Sequence, residues 1–252
     1  MNASAGSPVG GRTGRVGGHQ WDRLAGIAGV IVIALLVASF FTPETPAADT
    51  PADEIARRIT ADAEGHELSL FLSFLSDVFF LIFLAGLWSR LRRWEGQGGM
   101  FAGLFVVAGT VFYATILVSE GLYLALVKGA SAADPSALPA LVQLDSWVGA
   151  ATVPAGVAMF IGVTGAILAT RALPAWLGWL GAATGLLLLV SIIGVFEDDV
   201  DDGGIIGLLG FIGFLLLMVW VLATSIVLLV KARDTGPYDE PGQMRDAGHL
   251  AA

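Results

Sequence analysis

Six long runs of apolar residues, almost empty of charge, constrain this chain more than anything else in it. They fall at about 24–41, 68–91, 100–127, 140–170, 175–196 and 204–230. A bilayer core of ~30 Å needs roughly 20 apolar helical residues to cross it, and each run is of that order or longer. The charges inside them are few: Asp77 and Arg90 in the second, Glu120 in the third, Asp145 in the fourth. The runs are too long, and alternate too little, for the strands of a membrane barrel. Composition points the same way. Hydrophobic residues make up 56% and Gly another 33 of 252 positions, while charged residues reach only 14%, against about 25% in a soluble domain. The expectation is an all-α, polytopic transmembrane helix bundle with six spans between residues 21 and 230.

Lys and Arg set its orientation. With both termini cytoplasmic, the inside segments hold Arg12, Arg15, Arg23, Arg90, Arg92, Arg93, Arg171, Lys231, Arg233 and Arg245, and the outside segments only Arg57, Arg58 and Lys128. That split follows the positive-inside rule. A cleaved signal peptide over 12–41 is the rival for the first span. Its apolar run of 18 residues exceeds the usual 7–15, and cleavage would leave the other five spans unchanged. Residues 1–20 and 231–252 read as disordered cytoplasmic tails, being rich in Gly, Ser, Pro and polar residues.

Two outside loops carry more information. Thr50-Pro51-Ala52-Asp53 has the form of a helix start, with Thr as cap and Pro at the first helical position. Ile55 and Ile59 share a face, Asp53–Arg57, Glu54–Arg58 and Arg58–Asp62 are spaced for ion pairs, and Gly65 is a stop signal. This predicts a short amphipathic helix over 51–64, either a lid sealed onto the bundle or a docking site for a partner. The run Glu197-Asp198-Asp199-Val200-Asp201-Asp202 suits a hard cation by charge, but lacks the Glu that closes an EF-hand loop, and reads as a solvated turn.

Asp77, Glu120 and Asp145 are the candidate proton or cation site. An ionisable group in hydrocarbon costs at least ~2.5–3.5 kcal/mol and generally faces the bundle interior or water. Helix two enters from outside, which puts Asp77 ~14 Å down at 1.5 Å per residue. Glu120 and Asp145 lie toward the outer ends of their helices, so the three could meet. Each sits in a polar or small-residue stripe: Ser69, Ser73 and Ser76 with Asp77; Tyr113 and Tyr123 with Glu120; Gly149, Thr152 and Gly156 with Asp145. Pro154 should kink the fourth span. No Lys or Arg is expected at that depth, so some of the acids would be protonated at neutral pH. The competing reading makes them packing glue or interfacial groups. The small-residue pairs Gly99/Gly103 and Gly181/Gly185, and the series Gly204, Gly207, Gly210 and Gly213, read as close helix packing. Trp176 and Trp179 after Pro174 read as an interfacial belt.

Absences narrow the function. There is no Cys, and the three His at 19, 66 and 249 lie outside the apolar runs, which argues against thiol chemistry, haem and di-iron sites. No cofactor and no metal site are expected. Asn2 is the sole Asn, and no nucleophile elbow, phosphate loop or His-Glu-x-x-His motif occurs. No basic patch supports nucleic-acid binding.

The layout resembles a family. Arg-Leu-Ala-Gly (23–26) opens the first helix, Ala-Asp-Glu-Ile-Ala (52–56) closes the first outside loop, and Ser76-Asp77 marks the second helix. Gln143-Leu144-Asp145 lies at the start of the fourth, and Leu-Pro-Ala-Trp-Leu-Gly-Trp-Leu-Gly (173–181) opens the fifth. Over roughly residues 20–200 this is similar to the uncharacterised bacterial six-helix membrane proteins grouped as a domain of unknown function. It departs after Asp145, where that family carries a His and this chain has Ser146 and Trp147. The resemblance implies no activity. Eleven Arg against two Lys, with abundant Ala and Gly, fit a bacterium of high GC content, and so the cytoplasmic membrane. The leading expectation is a non-enzymatic structural or accessory membrane protein, in the lipid bilayer with a second copy or a membrane-protein partner. The alternative is a small proton- or cation-coupled transporter or channel-like protein using the three acids. A sensor acting through its tails is a third class.

Overall fold

Residues 18–47, 49–96, 98–131, 135–196 and 205–234 are described by a computed structural model, and they are helical apart from short turns. Of the expected disordered tails, 18–20 and 231–234 are instead helical, as the ends of the first and last helices, and the rest lies outside the described residues, as do the acidic loop at 197–204 and the first Gly of the 204–213 series. Helix α1 spans Gly18–Ser39, α2 Ala52–Ala61, α3 Ala63–Glu95, α4 Met100–Gly129, α5 Leu138–Ala151, α6 Val153–Thr170, α7 Ala175–Ser191 and α8 Ile205–Asp234. Six helical stretches, with α5 and α6 forming one, are long and apolar enough to cross a membrane. This is a multi-pass membrane protein.

Sequential spans pack on one another and the last returns to the first. Helix α1 lies on α3, α3 on α4, α4 on α5 and α6, α6 on α7, α7 on α8, and α8 on α1. Short connections make such antiparallel neighbours the natural outcome. The outer faces stay apolar, with Phe71, Val78, Val107, Val111, Leu186 and Val219 all exposed, as lipid contact requires. The α4–α6 seam depends on glycine. A Cβ on Gly162 would stand 2.5 Å from the backbone nitrogen of Phe105, so only a residue without a side chain lets the two backbones approach.

The two ends of the ring differ. One carries Arg23, Arg90, Arg92, Arg93, Arg171 and Lys231, together with the exposed Trp21, Trp94, Trp176 and Trp179. This basic end has the aromatic belt of a membrane interface. The other end carries α2. As the sequence suggests, α2 is amphipathic, and Ile55 and Ile59 are fully buried against Leu70, Leu126, Leu138 and Val142. It is a lid on the bundle.

Details of that end differ from expectation. Pro51, not Thr50, precedes the helix, without a side-chain cap. Glu54 takes both Arg57 and Arg58, and these two cations hold its carboxyl below the usual carboxylate range. Asp62 is left to cap α3 by accepting from the Gly65 backbone N–H. Gly65 therefore lies inside the first turn of α3 rather than stopping α2. Gly99 and Gly103 do not pack either, since no neighbouring helix comes within contact of Gly103. Gly99 instead takes the left-handed conformation, φ 47°, at the start of α4. Gly181 and Gly185 do pack, against Thr164 and Phe160, and Gly213 packs against Leu188. The fourth span breaks at Thr152, two residues before Pro154. The N–H and hydroxyl of Thr152 both return to the Gly149 carbonyl.

The basic end is clasped by a buried ion pair. Asp22 of α1 accepts from Arg90 and, at 2.9 Å, from Arg93, both of α3. Arg90 also donates to the Ala172 carbonyl in the α6–α7 turn, at 3.2 and 3.3 Å. Asp22 and Arg90 are both more than nine-tenths buried. Removing one partner of such a pair strands the other. Asp22→Ala should therefore lower stability by about 3–5 kcal/mol, read by unfolding in mixed micelles. Arg90→Met on top of it should restore part of the loss.

Candidate proton site at the α2 end

Helix lengths bring the three intramembrane acids to one level. Asp77 lies eighteen residues from the basic end of α3 and Glu120 twenty from that of α4, which is ~27 and ~30 Å at 1.5 Å per residue. These two helices pack side by side. The carboxyl groups of Asp77 and Glu120 face one another, and Ser73 faces Glu120 from one turn away on α3. Asp145 on α5 is near enough to interact electrostatically with Glu120. The fold brings Asp77 and Glu120 together, with Asp145 farther off on the Glu120 side.

Their environments differ. Asp77 is 5% exposed, and Glu120 and Asp145 are half-buried. One oxygen of Asp77 and one of Glu120 are buried with no hydrogen-bond partner among the described residues, and so is the Ser76 hydroxyl. Asp145 is better served, because Ser119, the neighbour of Glu120 in sequence, donates to it. Asp145 also lines a cavity of about 220 Å³ with Thr45, Pro46, Ala47, Val142 and Ser146. The loop after α1 thus forms part of the wall through which this level is reached.

Below the acids the interior closes. Tyr113 is stacked on Phe80, with centroids 3.8 Å apart and planes 13° from parallel. Phe80 is three residues beyond Asp77 and Tyr113 seven before Glu120, so the stack forms a floor toward the basic end. Beneath it Trp220 of α8 meets Phe83 and Phe160 edge to face and donates to the Leu177 carbonyl at 3.0 Å. Tyr113 thus belongs to the floor, with Asp77 and Glu120 in electrostatic reach of its hydroxyl.

The polar stripe expected on the fourth span does not line the site. The Thr152 hydroxyl is spent on Gly149, Gly156 packs against Phe112 and Leu188, and Gly149 faces open space. Among the described residues no three of His, Asp and Glu come together closely enough to hold a metal ion. Two groups escaped sequence reasoning. His66 lies inside α3, 2% exposed, with its Nδ1 2.6 Å from the Tyr123 hydroxyl. Asp22 is the partner that Arg90, at the end of a span, demanded.

Comparison with protein-family models, curated proteins and solved structures finds no match to this chain. The site is therefore read from its own chemistry. Two facing buried carboxyls, with Ser73 beside Glu120, make a poor structural joint while both are ionised. Asp77→Asn combined with Glu120→Gln should leave thermal stability unchanged or higher, as relief of a functional cost does. Ser119→Ala should cost about 1–3 kcal/mol by unpairing Asp145. Thermal unfolding of the purified variants checks both.

Proposed function

We propose that this protein binds and moves protons, as a small proton-coupled transporter or channel-like protein, through the Asp77–Glu120 pair. The observation that carries the reading is that pair itself: two buried carboxyls face to face, one of them beside an acid that lines a cavity. Like charges in contact at low dielectric cannot both ionise unless a cation joins them. The three acids are too dispersed to chelate a metal ion, which favours a proton over a multivalent cation. Intramembrane acids of this kind are the usual elements of proton relays.

In this reading the α2 end faces outside and the basic end the cytoplasm, following the distribution of Lys and Arg. The membrane is the cytoplasmic membrane of a bacterium. Access is from outside, through the cavity at Asp145, and the Phe80–Tyr113 and Trp220 layers form the barrier that must open toward the cytoplasm. The bundle acts without an enzymatic step.

A structural or accessory role is favoured by one observation, the continuous packing of that aromatic barrier. Vesicles decide between the two. With protein reconstituted, a pH-sensitive dye inside and an imposed potential, wild type should collapse the pH gradient faster than empty vesicles. Asp77→Asn and Glu120→Gln should each remove the excess rate. Wild-type vesicles no leakier than empty ones, across pH and a panel of cations, would return the protein to the accessory class.

A further inference from the structure

We infer that His66 and Tyr123 form a proton relay between the α2-end surface and the acid pair. The inference rests on the proton reading above and adds the route by which the pair is loaded. His66 stands in the first turn of α3, buried under the lid, where no structural need calls for an imidazole. Its Nδ1 and the Tyr123 hydroxyl are 2.6 Å apart, and the two rings meet edge to face. Tyr123 is three residues from Glu120, hence on the same face of α4. Its hydroxyl faces Thr45, a residue of the cavity wall, and Asp145 is within its electrostatic reach. One phenol thus meets the imidazole on one side and Thr45, a residue of the cavity wall, on the other.

The hydrogen bond can run either way, and this makes a relay. With neutral His66 accepting at Nδ1, the Tyr123 O–H donates to it. In the other tautomer Nδ1–H is the donor, the Tyr123 O–H turns to the Thr45 side, and Nε2 is free to take a proton from the α2-end surface. Transfer is then concerted. The Nδ1 proton passes to the Tyr123 oxygen as that oxygen releases its own proton toward the cavity, Asp145 and Glu120. Imidazole is left neutral, the phenol is left intact, and the carboxyl pair has gained one proton. Reorientation of the hydroxyl and return of the imidazole to its Nδ1–H tautomer reset the chain.

Asp62, the cap of α3, is the acid that acts on His66. Tyr123 faces it from α4. The next residue, Glu67, is paired across to Lys128 of α4, and the charges of α2, Glu54 with Arg57 and Arg58, are paired with one another on its exposed side. No cation is held against the ring by these pairings.

The test separates how fast the acid pair loads from whether it loads. The reconstituted full chain is given a pH jump, and the protonated-carboxyl infrared band is followed in time. The band is assigned by its loss in Asp77→Asn and Glu120→Gln. His66→Gln keeps a hydrogen-bonding side chain but cannot carry the proton, and Tyr123→Phe removes the hydroxyl. Both should leave the final amplitude unchanged and slow the relaxation by roughly tenfold or more, the lower range for a positioned proton-transfer group being about a hundredfold. Free imidazole in the buffer should restore the rate of His66→Ala, which a merely structural histidine would not show. Full amplitude with unaltered rates in both variants overturns the relay and leaves the proton reading standing. Absence of any carboxyl band change in wild type overturns both.

Discussion

A charge taken into hydrocarbon has to be met by another charge, by a hydrogen-bond network or by a proton, and this bundle answers that requirement differently at its two ends. At the basic end it uses a partner. Asp22, Arg90, Arg93 and the Ala172 carbonyl satisfy one another, and in doing so tie α1, α3 and the α6–α7 turn at one point. The turn reaches that point because the chain reverses at Arg171, which holds the left-handed conformation at φ 56°. At the α2 end no cation of the spans reaches the acid level. Asp77 and Glu120 have each other, which is no partner at all while both are ionised. The same desolvation cost is therefore met by an ion-paired clasp at one end and left to a pair of facing carboxyls at the other.

The six spans were legible because a membrane imposes length and apolarity on each, and both are visible in sequence. The lid helix was legible in Ile55 and Ile59, whose spacing matches one helical face. Its ends were not. Which acid caps and which pairs depends on the turn between α2 and α3, and local spacing could not show that Asp62 turns forward to Gly65 rather than back to Arg58. The Gly99/Gly103 pair looked like a packing motif, while the closest backbone approach occurs at Gly162. Small residues announce that packing can be close, but not where the partner helix lies.

The positions of the three acids along their helices were legible in sequence, and their surroundings less so. Asp77, Glu120 and Asp145 could be brought to one level by counting residues from the membrane surface, since helix rise is fixed. Their rotational settings could not be counted in the same way. The stripe below Asp145 is therefore spent on the break at Thr152, and the neighbours that matter, Ser73, Ser119 and Tyr123, belong to other helices. His66 was set aside because it precedes the apolar run. The helix begins earlier than the run does, and an imidazole one turn inside it is already buried.

On the proton reading proposed above, the arrangement also gives the molecule a direction. Proton affinity at the acid pair is set by low dielectric and by like charge, both of which strengthen as the pair is sealed from water. On one side of it lie a cavity and hydroxyl groups that can conduct a proton. On the other lie the Phe80–Tyr113 stack and the Trp220 cluster, a largely aromatic layer whose polar atoms include the Tyr113 hydroxyl and the indole N–H given to Leu177. A proton arriving at Glu120 is thus held between a wet wall and a dry floor. Beyond the floor stands a clasp whose excess charge is positive, two arginines on one aspartate, and that field opposes further movement of a cation. Exchange with the α2 side is the easy direction. Passage to the basic end requires the aromatic layer to separate, and the cost of breaking that packing is what would couple a proton to any larger motion of the bundle.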